Sequence, residues 1–196
     1  MKYFYQFVIC FALIFSFPGI KTATSQSTST IQINPQDSFQ TITGFGASLA
    51  FYEGWLTAHP NKAEIYDIIF DELSLDILRV INAHGYDAGM MDRVEEFHQA
   101  AENSLGHPIP ILSTSWGPPA YLKSNNDKSN GGTLKYEVVD GEVQFDYDGF
   151  AQWWAESLDA YAARGIYPKY ISIQNEPDWE AFYESCLLRP SEMVTS

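Results

Sequence analysis

Short apolar runs separated by longer amphipathic stretches constrain the fold of this chain more than any other feature. The runs are rich in β-branched and aromatic residues and lie at 39–48, 77–81, 109–115 and 170–174. Helical periodicity occupies intervals at about 60–72, 88–103 and 148–164. This alternation, with short connections, predicts parallel strands joined by right-handed crossovers, in either a (β/α)₈ barrel or a doubly wound sheet. A small hairpin is predicted at 136–145.

The last apolar run ends in Asn175-Glu176-Pro177-Asp178 and so places a carboxylate at the carboxyl end of a predicted strand. Barrels of this class collect their catalytic groups at that end of the strands. Pro177 disfavours helical backbone at the preceding residue, so we expect Glu176 to be extended. Asn175 offers a neutral amide beside the acid, which suits a sugar hydroxyl. The alternative for Glu176 is an ordinary loop glutamate in a chain with 25 acidic residues.

The carboxyl ends of the predicted strands bring together a small set of side chains with a distinct chemistry. They are Arg79, Trp116, Gln174 and Glu176. The four histidines are scattered without metal-ligand spacing, and no Ser-His pair accompanies the set. An aromatic face, hydrogen-bonding groups and a carboxylic acid suit a glycoside, so we expect a sugar site without metal or organic cofactor.

The N-terminus has the features of a secretion signal. Lys2 supplies a positive charge ahead of an apolar stretch at 4–17, which ends in Pro-Gly and small residues. The stretch is short for a membrane span, although a signal anchor is the alternative. We therefore expect a signal peptide at 1–23, a Ser/Thr-rich linker at 24–30 and a secreted or periplasmic mature protein without a membrane partner.

The charge of the chain argues against two classes of partner. Its formal net charge is −14, and loss of the predicted signal peptide would remove two lysines and no acid. Such a surface repels phosphate backbones and anionic lipids, so we expect neither nucleic acid nor a membrane surface as a partner. Cys186 would be the one cysteine left after cleavage, so no disulfide within the chain is expected.

Several motifs, in this order along the chain, resemble glycoside hydrolase family 30, a clan A family of retaining (β/α)₈ glycosidases. They are Gly44-Phe45-Gly46-Ala47, Leu78-Arg79-Val80, the segment 115–123 that begins Ser-Trp-Gly-Pro-Pro-Ala, Gly131-Gly132-Thr133-Leu134-Lys135, and 173–178. Asn-Glu-Pro alone occurs across the clan, whereas its combination with Trp-x-Pro-Pro-Ala is more specific. The resemblance extends from about Ile31 to the last residue.

This resemblance implies roles for four residues. Glu176 would be the general acid/base, and Asn175 would hold the 2-hydroxyl of the sugar in the −1 subsite. Arg79 would hydrogen-bond the nucleophile and keep it ionised, and Trp116 would border the sugar. A barrel-stabilising ion pair is the alternative for Arg79, and packing is the alternative for Trp116.

The chain departs from the family pattern in the second carboxylate. Retaining hydrolysis needs a nucleophile about 5 Å from the acid/base, and the family supplies it from the seventh strand. This chain has the pattern of about four βα units, so we expect 31–196 to be the first half of the catalytic domain, without the nucleophile. A strand at 31–33 would belong to a side β-sandwich. Residues 24–196 alone are expected to be poorly soluble and inactive.

The function expected from the resemblance is retaining O-glycosyl hydrolysis of a β-linked polysaccharide or oligosaccharide. Xylan, in particular glucuronoxylan, is the first candidate substrate. The other candidates within the family are β-1,6-glucan, β-1,6-galactan and glucosylceramide. A catalytically inactive carbohydrate-binding protein is the alternative from another class. Trp179 and Tyr183 follow the acid and would line a plus-side subsite, with loop packing as the alternative.

Overall fold

A computed structural model describes residues 29–188, in two compact units that divide after Thr41. The predicted signal peptide and most of the linker lie outside the described residues. In the first unit, residues 29–41 form no helix or strand, and the strand expected at 31–33 is absent. Ile31 and Ile33 are 85% and 86% exposed, because no described strand pairs with this segment to bury its apolar side chains.

The second unit contains a parallel sheet and a separate hairpin. The six strands are β1 (Gly46–Ser48), β2 (Ile77–Ile81), β3 (Ile111–Thr114), β4 (Tyr136–Val139), β5 (Glu142–Phe145) and β6 (Tyr170–Ser172). The sheet has the order β1-β2-β3-β6, and every pair in it is parallel. This order never reverses, as in successive βα units of a barrel and unlike a doubly wound sheet. The α/β architecture is thus consistent with part of a (β/α)₈ barrel.

Helices connect these strands close to the predicted positions. They are α1 (Glu53–Thr57), α2 (Lys62–Asp67), α3 (Met90–Leu105) and α4 (Tyr147–Ala162). The helix predicted at 60–72 continues beyond α2 as a π-helical turn at Ile68–Glu72. The side chain of Asp146 caps α4 by accepting a 2.9 Å hydrogen bond from the backbone N–H of Gly149. α3 ends at Gly106, whose φ of 74° is the left-handed conformation that glycine adopts readily.

The core lies between the sheet and the helices that cover it. Phe70, Leu78, Val94 and Phe97 are fully buried there. Trp153 of α4 is also buried. At the start of the sheet, a side chain at Gly46 would place its Cβ 2.5 Å from the carbonyl oxygen of Ile77. The close pairing of β1 with β2 therefore requires glycine.

The predicted hairpin is confirmed as β4 and β5, which pair in antiparallel register across a two-residue turn. Asp140 and Gly141 form this turn with φ values of 53° and 86°, as the type I′ geometry requires. Within residues 29–188, no helix is both long enough and apolar enough to cross a bilayer.

Candidate active site

Glu176 lies just beyond β6, at the carboxyl edge of the parallel sheet, where the sequence predicts the chemistry. The prediction that Glu176 is extended is wrong. Its φ is 45°, in the left-handed region. The backbone N–H of Asn175 donates to Ser115 O at 2.7 Å, and that of Trp179 donates to Glu176 O at 3.1 Å. These bonds close a tight bend that avoids the helical region disfavoured before proline. Such a conformation costs about 1–3 kcal/mol and is commonly kept at functional sites.

Two donors bind one oxygen of the Glu176 carboxylate. Asn175 Nδ2 donates to Oε2 at 3.0 Å, and the phenol of Tyr183 donates to the same oxygen at 2.7 Å. The bond to Glu176 is the main reason that the pKa of Tyr183 is raised above its ordinary value. The side chain of Glu176 is exposed, so a ligand can reach the carboxylate.

Arg79 extends from β2 toward the same site and fixes the orientation of Asn175. Its NH2 group donates to Asn175 Oδ1 at 2.6 Å, and its Nε donates to Thr114 Oγ1 at 3.1 Å. The amide of Asn175 therefore presents its NH₂ group to Glu176. Burial lowers the pKa of Arg79, and the nearby charge of Glu176 opposes this effect. None of the ion pairs found in residues 29–188 involves Arg79.

Trp116 follows β3 and packs against this polar group. The guanidinium of Arg79 lies 4.3 Å from the centre of its indole ring, a cation–π contact. Phe51 meets the ring edge-on at 5.6 Å, and Gln174 Nε2 donates to the backbone carbonyl of Trp116 at 2.6 Å. Trp116 is only 5% exposed, so most of its surface serves packing. The structure thus brings the four predicted site residues together.

Aromatic residues around the carboxylate form a surface that the sequence indicates only in part. Tyr183 contacts Phe51, Trp179 and Phe182 edge-on, with ring centres 5.9, 5.8 and 5.3 Å away. Trp179 is 49% exposed and Phe182 is 81% exposed, so both offer ring surface to a ligand. The sequence predicts neither Phe51 in this site nor the bond from Tyr183 to the acid. Aromatic residues close to Asn-Glu-Pro were the only available signal.

A buried lysine anchors the segment that carries these aromatic residues. Lys123 is fully buried, and its ammonium donates to the backbone carbonyls of Gly131 and Ser185. Burial lowers the pKa of Lys123. The bonds tie the loop before β4 to the segment after β6, a link for which the sequence carries no local signal.

The chemistry available at this site is that of an exposed carboxylic acid among amide, guanidinium and aromatic groups. Residues 29–188 contain no group of three or more His, Cys, Asp or Glu side chains arranged to hold a metal ion. None of the hydrogen bonds that the structure gives Glu176 comes from a second carboxyl group. A single carboxyl group of this kind can donate a proton to a bound ligand when protonated and accept one when ionised.

Comparison with known proteins gives glycoside hydrolases. Lysosomal acid glucosylceramidase of Mus musculus is 29% identical over 85 residues, which cover 43% of this chain and 16% of that protein. Endo-1,6-beta-D-glucanase of Neurospora crassa is 33% identical over 70 residues, 35% of this chain and 13% of that protein. The crystal structure of a glycoside hydrolase family 30 subfamily 8 xylanase from Clostridium acetobutylicum matches with a TM-score of 0.61 and 26% identity.

The solved xylanase match covers 80% of this chain but only 38% of the xylanase chain. The two curated matches cover still smaller shares of their proteins. No protein-family model matches the chain.

Proposed function

We propose that the protein is a retaining O-glycosyl hydrolase, because it is similar over part of its relatives' length to proteins of glycoside hydrolase family 30. The observation that carries the proposal is the position of Glu176 at the carboxyl edge of the sheet, hydrogen-bonded by Asn175 and Tyr183. Enzymes of barrel architecture place their catalytic carboxylates at this edge.

In the proposed reaction Glu176 is the general acid and then the general base. Protonated Glu176 gives its proton to the glycosidic oxygen as the bond to the leaving sugar breaks. The resulting carboxylate then takes a proton from the water that releases the second product. Tyr183 and Asn175 donate hydrogen bonds to the oxygen Oε2 and so hold the carboxylate in position for this second step.

Retention of configuration also requires a nucleophile. A second carboxylate about 5 Å from the first would attack the anomeric carbon and form a glycosyl-enzyme intermediate. We propose that this carboxylate comes from outside residues 29–188. Arg79, which donates to Asn175 and Thr114, would be the cationic partner of this nucleophile.

The proposed substrate is a β-linked polysaccharide or oligosaccharide. The relatives include proteins named as a xylanase, an endo-1,6-glucanase and a glucosylceramidase. Xylan, including glucuronoxylan, is our first proposal. Exposed Trp179 and Phe182 support a polymeric substrate, because their rings could stack against sugars beyond the scissile bond. The signal-like N-terminus supports export, which would place the protein with such polymers.

The proposal is tested with the protein expressed from its complete gene. Purified protein is incubated with xylan, glucuronoxylan, β-1,6-glucan and β-1,6-galactan, and NMR follows the anomeric configuration of the first product. Hydrolysis with retention supports the proposal. Tight binding without turnover on any of these glycans would instead identify a carbohydrate-binding protein, and inversion would rule out the covalent intermediate.

A further inference from the structure

A cavity lies beside the candidate active site and is lined by the segments that follow β1 and β2. Its volume is about 410 Å³, and its walls include Phe51, Glu53, Trp55, Tyr86 and Arg93. Small-molecule sites commonly have volumes of about 300 to 1,000 Å³. The size and the mixture of aromatic and charged walls are therefore those of a ligand site.

Glu53 is the most unusual group in this cavity. It is only 1% exposed, and within residues 29–188 its Oε1 has no hydrogen-bond partner. Burial raises the pKa of Glu53, and backbone hydrogen bonds and the charge of Arg93 offset this only in part. A buried acceptor without a partner is costly and rare, so its place in a cavity wall points to a ligand that donates to it.

The same wall also holds an unsatisfied donor. Arg93 Nε is buried and has no hydrogen-bond partner among the described residues, whereas its NH2 group pairs with Asp87 at 2.5 Å. A hydroxyl group both donates and accepts hydrogen bonds, so neighbouring hydroxyls of one ligand can satisfy Glu53 and Arg93 together. Sugars present hydroxyls in this way.

The charges around the cavity are paired except for one. Arg93 forms an ion pair with Asp87, and Lys128 forms one with Glu184. Glu53 belongs to neither ion pair, and the charge of Arg93 offsets the effect of its burial only in part. When Glu53 is ionised, the cavity carries one excess negative charge, which repels a ligand carboxylate at short range.

Phe51 joins this cavity to the site of Glu176. Its ring lines the cavity and also contacts Trp116 and Tyr183, at 5.6 and 5.9 Å. Trp55, which also lines the cavity, is 81% exposed and offers a second ring to a bound sugar. A glycan held at Glu176 can therefore continue past Phe51 into the cavity.

We propose that this cavity is a second sugar subsite, in which Glu53 accepts a hydroxyl of an uncharged sugar unit and excludes a uronic acid. The proposal rests on the proposed function in one respect, because it assumes that the chain of the substrate passes Glu176. It makes Glu53 a specificity-determining residue: a uronic acid branch on the substrate would have to lie elsewhere.

Calorimetric binding tests this inference in the protein expressed from its complete gene, with Glu176→Gln present to prevent turnover. The probes are xylotetraose and gentiotetraose, each compared with a counterpart that carries one glucuronic acid. For at least one of the two glycans, the neutral form should bind at least about tenfold more tightly than the acidic form. Adding Glu53→Gln should reduce that ratio at least about fivefold, because the repelling charge is gone.

Glu64→Gln is the matched control, because it removes the same charge from an exposed position on α2. The inference is overturned if Glu53→Gln and Glu64→Gln leave the same ratio, or if no probe binds. If either of these results is found but the protein that retains Glu176 hydrolyses a glycan, the subsite is contradicted and the proposed function is not. Binding that discriminates through Glu53, without hydrolysis by the protein that retains Glu176, would support the subsite and contradict the enzyme.

Discussion

The phenol of Tyr183 donates a 2.7 Å hydrogen bond to Oε2 of Glu176, from a position seven residues further along the chain. Asn175 donates to the same oxygen at 3.0 Å. Oε1 of Glu176 receives no hydrogen bond from the described residues, and the side chain is exposed. The segment after β6 therefore folds back to hold one carboxylate oxygen and leaves the other open for proton transfer.

The first prediction concerns Tyr183→Phe, which removes this donor and keeps the ring. A hydrogen bond to a charged group is worth about 1.5–3 kcal/mol, so kcat/KM on a β-linked oligosaccharide should fall about tenfold or more. Tyr167→Phe is the matched control, because Tyr167 is 73% exposed and the substitution is the same. Equal kinetics for the two variants would show that Tyr183 only packs in the loop.

The second prediction concerns stability and pH at Glu53. Because burial raises its pKa in the folded state, the folded protein binds a proton that the unfolded chain releases as pH rises above about 4.5. The ionised group therefore destabilises the fold. This destabilisation is complete at pH values above the pKa of Glu53 in the folded state, and it disappears as pH falls below the pKa of the same group in the unfolded chain.

Glu53→Gln should accordingly raise the unfolding temperature at pH 7, with a smaller gain at about pH 4. Thermal unfolding of this variant beside Glu64→Gln measures the effect. A gain that is the same at both pH values would contradict the assignment of the penalty to ionised Glu53.

The third prediction concerns Lys123, whose buried ammonium donates to Gly131 and Ser185. Lys123→Met keeps the length of the side chain but leaves the Ser185 carbonyl unpaired, so the free energy of unfolding should fall by about 2 kcal/mol. Denaturant unfolding checks this against Lys135→Met at an exposed position. If the two variants are equally stable, the lysine does not hold the segment after β6.

The fourth prediction tests the close pairing of β1 with β2. Gly46→Ala would place a Cβ 2.5 Å from Ile77 O, a backbone atom that cannot move without disturbing the sheet. We expect a loss of about 1–3 kcal/mol of stability. Gly54→Ala is the control, because its Cβ would meet only Arg93 Cδ at 3.9 Å and alanine favours the helix. Equal stability would contradict the observed register.

The sequence predicts the sheet and helices well because their signals are local. β2 begins and ends at the predicted residues, Ile77 and Ile81. A short run rich in β-branched residues between polar neighbours predicts a strand with those limits. The strand expected at 31–33 fails because alternation alone cannot supply a partner strand. The π-helical turn after α2 was also missed, because its residues continue the apolar periodicity of an α-helix.

The sequence predicts the identity of the site residues better than their conformation. The positive φ of Glu176 was missed because the proline rule reports only what is disfavoured, and long-range bonds to Ser115 determine the bend. Phe51 and Lys123 were missed because each acts through residues distant in the chain. Glu53 carries no motif, and only its burial beside a cavity distinguishes it from the other acids.

The kinetics of Glu176→Gln, in the protein expressed from the complete gene, test directly whether Glu176 is the general acid/base. With an aryl glycoside that has a good leaving group, glycosylation needs little acid assistance, whereas deglycosylation loses its general base. Turnover should therefore fall about 10²- to 10⁴-fold, and added azide should restore part of it by attacking the intermediate without a base.

Glu180→Gln, at an exposed position four residues further on, is the control for this measurement. We expect slow turnover of Glu176→Gln, recovery with azide as a glycosyl azide product, and near-normal rates for Glu180→Gln. Unchanged turnover of Glu176→Gln, or a loss that azide does not relieve, would contradict the assignment of general acid/base catalysis to Glu176.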